Sequence, residues 1–312
     1  MTRPGLVLPG RRATVDRALA FSPLQPASRF VARGHLEVLT YHRVDDGRAF
    51  ERHLDYIVRR MNPVSLEHVI DAIQRGTRLP NHAVLVTFDD GHRTVLDVAA
   101  PMLHERGIQG VAFVVGGVIG TDQPFWWDEA ATLVAAGGRL SEGLERDPSH
   151  IIARFKGIPD NERLAGLAKL RATARGGRAK AKQLSGPDLL ELERMGVEVA
   201  NHTMTHPCLP RCSRAKIENE IRQAHFRLEA LLGHEPRSFA YPNGDWDRRA
   251  EAVLADLGYQ SAFLFDHRTV RPRTAHPLRM SRLRIDAGAS LHRFRIVTSG
   301  LHPFIHRLRG IG

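Results

Sequence analysis

One hexapeptide constrains this chain more than any other segment. Ala83-Val84-Leu85-Val86-Thr87-Phe88 is a short, nearly continuous apolar run, and it stops abruptly on Asp89-Asp90-Gly91. A run of this length without polar alternation fits a strand buried on both faces, as in a parallel sheet. Parallel neighbours need a crossover between them, most often a helix. The flanking sequence supplies one. A helical pattern runs from about Thr94 to Arg106, and a second strand follows at Gly110 to Val115. Strand-helix-strand units with short links indicate α/β architecture.

The same rhythm extends in both directions. Leu36 to Tyr41 reads as a strand, and Phe50 to Met61 and Leu66 to Arg75 read as helices. Further along, Pro187 to Met195, Arg214 to Leu232 and Arg248 to Leu257 read as helices, alternating with strands at Val197 to Asn201, Ser238 to Tyr241 and Gln260 to Leu264. Leu283 to Ile285 closes the strand set, and Leu291 to Arg309 reads as mostly helical, interrupted near Pro303. About seven strands alternate with helices, so a barrel or distorted barrel of parallel strands is favoured over an open sheet. In both architectures the active site lies at the carboxyl ends of the strands.

Two segments fall outside this pattern. Between Gly120 and Pro187 the alternation lapses, Phe125-Trp126-Trp127 opens a helix-like stretch, and Asn161 to Arg175 looks helical. We read residues 120–185 as a helical insertion. Residues 1–34 are basic and punctuated by Pro4, Pro9, Pro23, Pro26 and Gly34. They are expected to form a loosely attached arm with one short helix. That leaves one catalytic domain at 35–300 and a C-terminal tail at 301–312.

Composition narrows the classes. A chain of 312 residues can bury roughly three quarters of its unfolded surface. Its 45 Lys and Arg against 34 Asp and Glu give a net charge of +11, which raises the question of an anionic partner. The basic residues form no long run and do not interleave with aromatics, so no nucleic-acid partner is expected. With two cysteines, Cys208 and Cys212, there is no disulfide framework. Met1 to Gly10 lacks an apolar core of signal-peptide length, and no apolar stretch is long enough for a bilayer span. The expected location is the cytoplasm, including its membrane face; an upstream start would change that. Leu301 to Arg309 mixes apolar and basic residues, suited to peripheral contact with an anionic membrane.

Chemistry-bearing residues gather at three strand ends. The first is Asp89-Asp90, two adjacent carboxylates that repel each other and resist desolvation unless a cation relieves them. The second is Asn201-His202-Thr203-Met204-Thr205-His206-Pro207. A His-x-x-x-His pair can chelate a metal from a helix, but Pro207 disfavours helical geometry at His206. The pair is therefore expected on a loop after a strand. The third is Ala240-Tyr241-Pro242-Asn243-Gly244-Asp245, a tight turn whose backbone N–H groups could share the same space. One Asp and two His make a common three-ligand set for a catalytic zinc-type ion, leaving the other Asp as a base.

Thr87-Phe88-Asp89-Asp90-Gly91, His202-Thr203-Met204-Thr205-His206-Pro207 and Tyr241-Pro242-Asn243-Gly244 resemble the first three motifs of the polysaccharide deacetylase family, carbohydrate esterase family four. The resemblance spans about Leu36 to Leu301. It implies a distorted (β/α) barrel with seven or eight parallel strands. It implies metal-dependent N-deacetylation of an N-acetylated sugar, in a polysaccharide or in a lipid-linked or soluble intermediate. Asp90, His202 and His206 would hold one divalent ion, zinc first, with cobalt, nickel or iron also suited to such ligands. Asp89 would be the general base, and Tyr241 and Asn243 would line the substrate and oxyanion side. Leu39-Thr40-Tyr41-His42 resembles the subgroup whose general acid comes early, which points to His42. Many relatives carry an Arg in the third motif that orients the base. Ala240 stands there here, and Arg284 is the candidate replacement. A non-catalytic sugar-binding relative is the alternative that the missing Arg supports. Trp126 and Trp127 either stack on a sugar ring or, as adjacent Trp more commonly do, anchor a helix in the core.

Overall fold

The apolar hexapeptide is a strand whose six side chains are all buried. It lies in the middle of a sheet of eight parallel strands. The structure, a computed structural model, describes residues 9–140, 147–176 and 179–301. In chain order its elements are α1 (Pro9–Ala20), α2 (Leu24–Ala32), β1 (Glu37–Tyr41), α3 (Gly47–Arg60), β2 (Asn62–Pro63), α4 (Leu66–Gln74) and β3 (Ala83–Phe88). A π-helical turn at Val95–Ala99 leads into α5 (Ala100–Glu105), followed by β4 (Gly110–Val114). The insertion contributes α6 (Trp126–Ala135), α7 (Pro148–Gly157) and α8 (Asp160–Thr173). Then come α9 (Gly186–Arg194), β5 (Val197–Asn201), α10 (Arg214–Leu232), β6 (Ser238–Ala240), α11 (Arg248–Asp256), β7 (Ser261–Phe263), β8 (Leu283–Arg284) and α12 (Leu291–Thr298).

The strand order is β7-β6-β5-β4-β3-β1-β8, with the short β2 also paired to β3. The ring closes through one segment that touches both edges. Ala262 donates its N–H to Pro277 O, Met280 exchanges backbone bonds with Ala262 and Leu264, and then Leu283 and Arg284 pair with Leu39 and Thr40 of β1. No continuous ladder joins β7 to β8, so the barrel is distorted at this seam.

Alternation along each strand sorts side chains into two cores. Leu39, Tyr41, Val84, Val86, Phe88, Ala112, Val114, Val197 and Val199 point outward and pack under the helices. Val38, Leu85, Val111, Phe113, Ala200, Ala240 and Phe263 fill the barrel interior. Fully burying one such aliphatic side chain contributes about 1.5–3 kcal/mol. The same two-residue count carries the inner row on to His42 from β1, Asp89 from β3 and His202 from β5. These three residues leave the sheet at the carboxyl ends of their strands.

The insertion has its own small core, built from Trp126, Leu133, Ile151, Phe155, Leu167 and Leu170. The N-terminal segment departs from the expected arm. It forms two helices instead of one, and it is packed: Ala20 is buried against Ile296 and Leu301. A small residue at the end of α1 lets it lie close against α12. Nearly all of the mixed apolar and basic stretch Leu301 to Arg309, together with His302, lies outside the described residues.

Candidate active site

Four of the site's residues sit in the left-handed backbone region: Asp90 (φ 73°), Thr203 (φ 69°), His206 (φ 53°) and Asn243 (φ 57°). Each such non-glycine residue costs of order 1–3 kcal/mol and persists only where its surroundings over-determine it. Here the compensation is visible. Asn201 Oδ1 accepts from the Thr203 N–H at 2.8 Å, and Thr203 Oγ1 accepts from the His206 N–H at 3.0 Å. The Asp90 carbonyl accepts from the Val115 N–H at 3.2 Å. As Pro207 predicts, no helix forms at His206. A loop folds both imidazoles onto one side.

One ligand atom from each of Asp90, His202 and His206 lies within 4.8 Å of the others, and all three residues are buried. Both imidazole Nε2 atoms stand 3.6 Å from the Asp90 Oδ1. The Ala240 carbonyl accepts from His202 Nδ1 at 2.8 Å. That bond places the proton on Nδ1 and leaves the Nε2 lone pair facing Asp90. Burial, with the His202 imidazole close by, lowers the His206 pKa to about 3. His206 is therefore neutral at working pH, with a lone pair to offer. The Asp90 carboxyl is held well below the usual carboxylate range. Burial opposes this, but the surrounding imidazoles of His202, His92, His206 and His42 outweigh it. An anionic carboxylate, two imidazoles and a short mutual spacing fit a divalent ion.

His92 was not singled out from the sequence. Its Nε2 lies 3.5 Å from the second Asp90 oxygen, Oδ2, and its ring meets Phe125 edge-on at 4.8 Å. Its place two residues after Asp90 was the only signal available.

Asp89 is gripped from the far side of the barrel. Arg282 Nη1 and Nη2 donate to its two carboxylate oxygens at 2.6 and 2.8 Å, and Arg282 Nε donates to the Leu264 carbonyl at 2.7 Å. The guanidinium is fully buried, over the rings of Phe113 and Phe263. Burial would raise the Asp89 pKa. The Arg282 guanidinium, with His202 and His42 nearby, overrides burial and lowers it. This corrects the expectation for Arg284. That side chain is exposed at the mouth, 5.8 Å from the Phe265 ring, and makes no bond to Asp89. Positions 282 and 284 share the inner face; the earlier one lies two residues deeper, and its guanidinium reaches up to Asp89 from inside the barrel.

His42 is half-buried, edge-on to Phe265 at 5.9 Å. Burial lowers its pKa, while Asp90 and Asp89 pull in the opposite sense. Tyr241 does not reach the site. Its hydroxyl donates to Leu278 O at 3.1 Å, its N–H donates to Phe263 O at 3.0 Å, and its ring packs with Phe239 in an outer core. Both donors are committed, so the expected substrate role of Tyr241 is not available to it. Asn243 differs. Its side-chain amide meets Cys208 Sγ at 3.3 Å, and among the described residues no acceptor takes its backbone N–H. Gly244 is obligatory beside it: a Cβ there would lie 2.2 Å from the Cβ of Phe265.

The insertion reaches the centre through its aromatic opening. Trp126 Nε1 donates to the His206 carbonyl at 3.0 Å and is buried. Trp127 stands edge-on to the His206 ring at 4.7 Å and stacks on Phe125 at 4.8 Å, and it remains half-buried. Trp126 is thus the core anchor, and Trp127 is part of the wall beside Asp90, His202 and His206.

The family model for polysaccharide deacetylases matches residues 76–142 and 171–262, just over half of the chain. Chitin deacetylase 2 of Saccharomyces cerevisiae is 33% identical over 84 residues, 27% of this chain and 27% of that protein. A chitooligosaccharide deacetylase of Bradyrhizobium is 37% identical over 79 residues, 25% of this chain and 34% of that one. The matched stretches therefore span about a third or less of these relatives. Among solved structures, the Streptococcus pyogenes deacetylase PplD, in complex with acetate, superposes with a TM-score of 0.60 at 16% identity, covering 85% of this chain and 98% of that one. IcaB from Ammonifex degensii gives 0.59 at 20% identity, with 86% and 97% covered. At such identities the likeness concerns the fold. With the three motifs gathered at one end of the barrel and the family model spanning them, the chain belongs to the polysaccharide deacetylase family.

Proposed function

We propose that this chain is a divalent-metal-dependent hydrolase that removes acetyl groups from an N-acetylated sugar. The observation that carries the reading is the buried Asp90, His202 and His206 cluster beside a second carboxylate, Asp89, held ionised by Arg282. An ion bound by that cluster would polarise the acetyl carbonyl and acidify water next to it. Asp89, already deprotonated, takes a proton as water attacks the amide carbon. The Asn243 N–H donates to the oxygen on which charge develops; one such donor is typically worth about 10² to 10³ in rate. The C–N bond then breaks and the amine leaves with a proton from His42. The products are acetate and a free amino sugar.

The case for a non-catalytic sugar binder rested on the missing third-motif Arg. Arg282, donating to both Asp89 oxygens from the seam of the barrel, supports the catalytic reading instead. Acetate release from N-acetylglucosamine oligomers tests the proposal directly. Chelation should abolish release, and zinc, cobalt, nickel or iron should restore it. Asp89→Asn should keep its metal, measured by elemental analysis, and lose about 10² to 10⁴ in turnover. Equal turnover in Asp89→Asn and wild type would remove Asp89 from the mechanism.

A further inference from the structure

Ten large apolar side chains stand exposed among the described residues, and five of them fall within one short segment: Val15, Phe21, Leu24, Phe30 and Val31. The placement of Leu24, Phe30 and Val31 on α2 is inverted relative to an ordinary surface helix. Gln25 and Ala32 are buried, and Ser28 and Arg29 are half-buried, so this spacing marks the stripe facing the protein. The opposite side carries Pro26, Ala27, Phe30 and Val31, with Leu24 at its edge. Phe30 is 64% exposed and Val31 76%. The outward face of α2 is therefore apolar.

Charge defines what can cover it. From Met1 to Gly34 the sequence holds six arginines, at 3, 11, 12, 17, 29 and 33, and a single acid, Asp16. Asp16 is buried and pairs with Arg293 of α12 at 3.8 Å. No carboxylate of this segment is left at its surface. Arg33 lies over the Phe30 ring at 4.1 Å, and Arg295 lies over Phe21 at 5.1 Å. Arg29 turns inward, donating to the Tyr56 hydroxyl and to the Arg60 carbonyl. Exposed aromatic and aliphatic side chains rimmed by arginine, with no exposed acid, complement an anionic lipid surface. A second copy of the same face would bring arginine against arginine.

We propose that α1 and α2 form a docking surface for the anionic face of a lipid bilayer, with Phe30 and Val31 entering the headgroup region. The surface lies away from the active site. Arg33 O accepts from the His82 N–H at 2.7 Å, just ahead of β3, whereas Asp89 and Asp90 follow the other end of that strand. Docking through α2 leaves the mouth of the barrel open to solvent. The inference stands whether or not the chain hydrolyses amides.

The test is co-sedimentation of the full chain with vesicles of equal parts phosphatidylglycerol and phosphatidylcholine, beside vesicles of phosphatidylcholine alone. The expected result is binding to the anionic vesicles only, weakening as salt is raised. The double variant Phe30→Ser and Val31→Ser should lose about tenfold or more in affinity, with an unchanged circular dichroism spectrum. Arg17→Glu with Arg33→Glu should lose a similar factor. Absence of binding to either vesicle, equal binding to both, or undiminished binding by the Phe30 and Val31 variant would overturn the proposal. So would a dimer in sedimentation velocity that this variant abolishes, without vesicle binding, because the face would then serve self-association.

Discussion

Replacing Arg282 with methionine removes the cation that holds Asp89 in place. Two charge-assisted bonds, at 2.6 and 2.8 Å, are lost, and a carboxylate only 4% exposed is left without its partner. Breaking a buried pair in this way costs about 3–5 kcal/mol, against a total stability of about 5–15 kcal/mol for a typical domain. A large part of the variant's defect would then be folding. Two further variants separate folding from chemistry. Arg282→Lys keeps the charge but loses the two-pronged grip. Arg282→Met combined with Asp89→Asn removes the stranded charge, so it should be about 2 kcal/mol more stable than Arg282→Met alone in urea titrations. The kinetic signature follows from the sign of the pKa change. Arg282 lowers the Asp89 pKa, so weakening the contact raises it, and the base becomes active only at higher pH. In acetate-release assays the acid limb of the kcat/KM profile should move to higher pH in Arg282→Lys. Turnover at pH 7 should fall about 10- to 100-fold. An acid limb that stays in place, with turnover within a factor of two of wild type, would refute the claim that Arg282 sets the state of Asp89.

Three other outcomes follow from the geometry. His53 is fully buried, stacked on Phe294 and bonded to Ala289 O, and burial lowers its pKa to about 4. The unfolded chain takes up this proton near pH 6.5 and the folded chain does not. Stability should therefore fall between pH 6.5 and 4, by about 3 kcal/mol at the low end; urea midpoints for wild type and His53→Asn should show a flatter dependence in the variant. Gly244→Ala places a methyl group against the Phe265 backbone at a φ of +78°, and a loss of about 3 kcal/mol or more is expected in thermal unfolding. Trp126→Phe removes the bond to the His206 carbonyl. It should weaken metal binding by up to about tenfold in a competition titration, comparable to loss of an outer-shell contact.

Much of the site was legible because its polar residues gather at the ends of apolar strands. Asp89-Asp90 and the His202 motif each follow directly on a buried apolar strand, where a parallel α/β fold places its active site, and Pro207 predicts a loop at His206. The barrel was legible for the same reason, since buried parallel strands lack polar alternation. Depth along the barrel was not. Arg282 and Arg284 have the same parity, and nothing local distinguishes the buried one whose guanidinium reaches Asp89 from the exposed one; that is set by the stagger of β8 on β1, where Thr40 pairs with Arg284. Tyr241 was misplaced because a motif gives a residue's neighbours in the chain, while the Leu278 carbonyl that claims its hydroxyl comes from 37 residues away. The second N-terminal helix was hidden by Pro26, which reads as a breaker but sits in the first turn of α2, where no intrahelical bond is lost.

The indole bond from Trp126 to the His206 carbonyl has an implication for how such chains diversify. The insertion is the least conventional part of the molecule, yet it is tethered to the main chain of one of the three residues facing the cavity. It cannot be exchanged as an independent cassette. A graft from another chain would need to bring its own donor for that carbonyl, or His206 would lose a restraint on a backbone already held at an unfavourable angle. Conversely, anything that presses on the insertion from outside is mechanically coupled to His206, so reshaping the rim for a new glycan also retunes the centre beneath it.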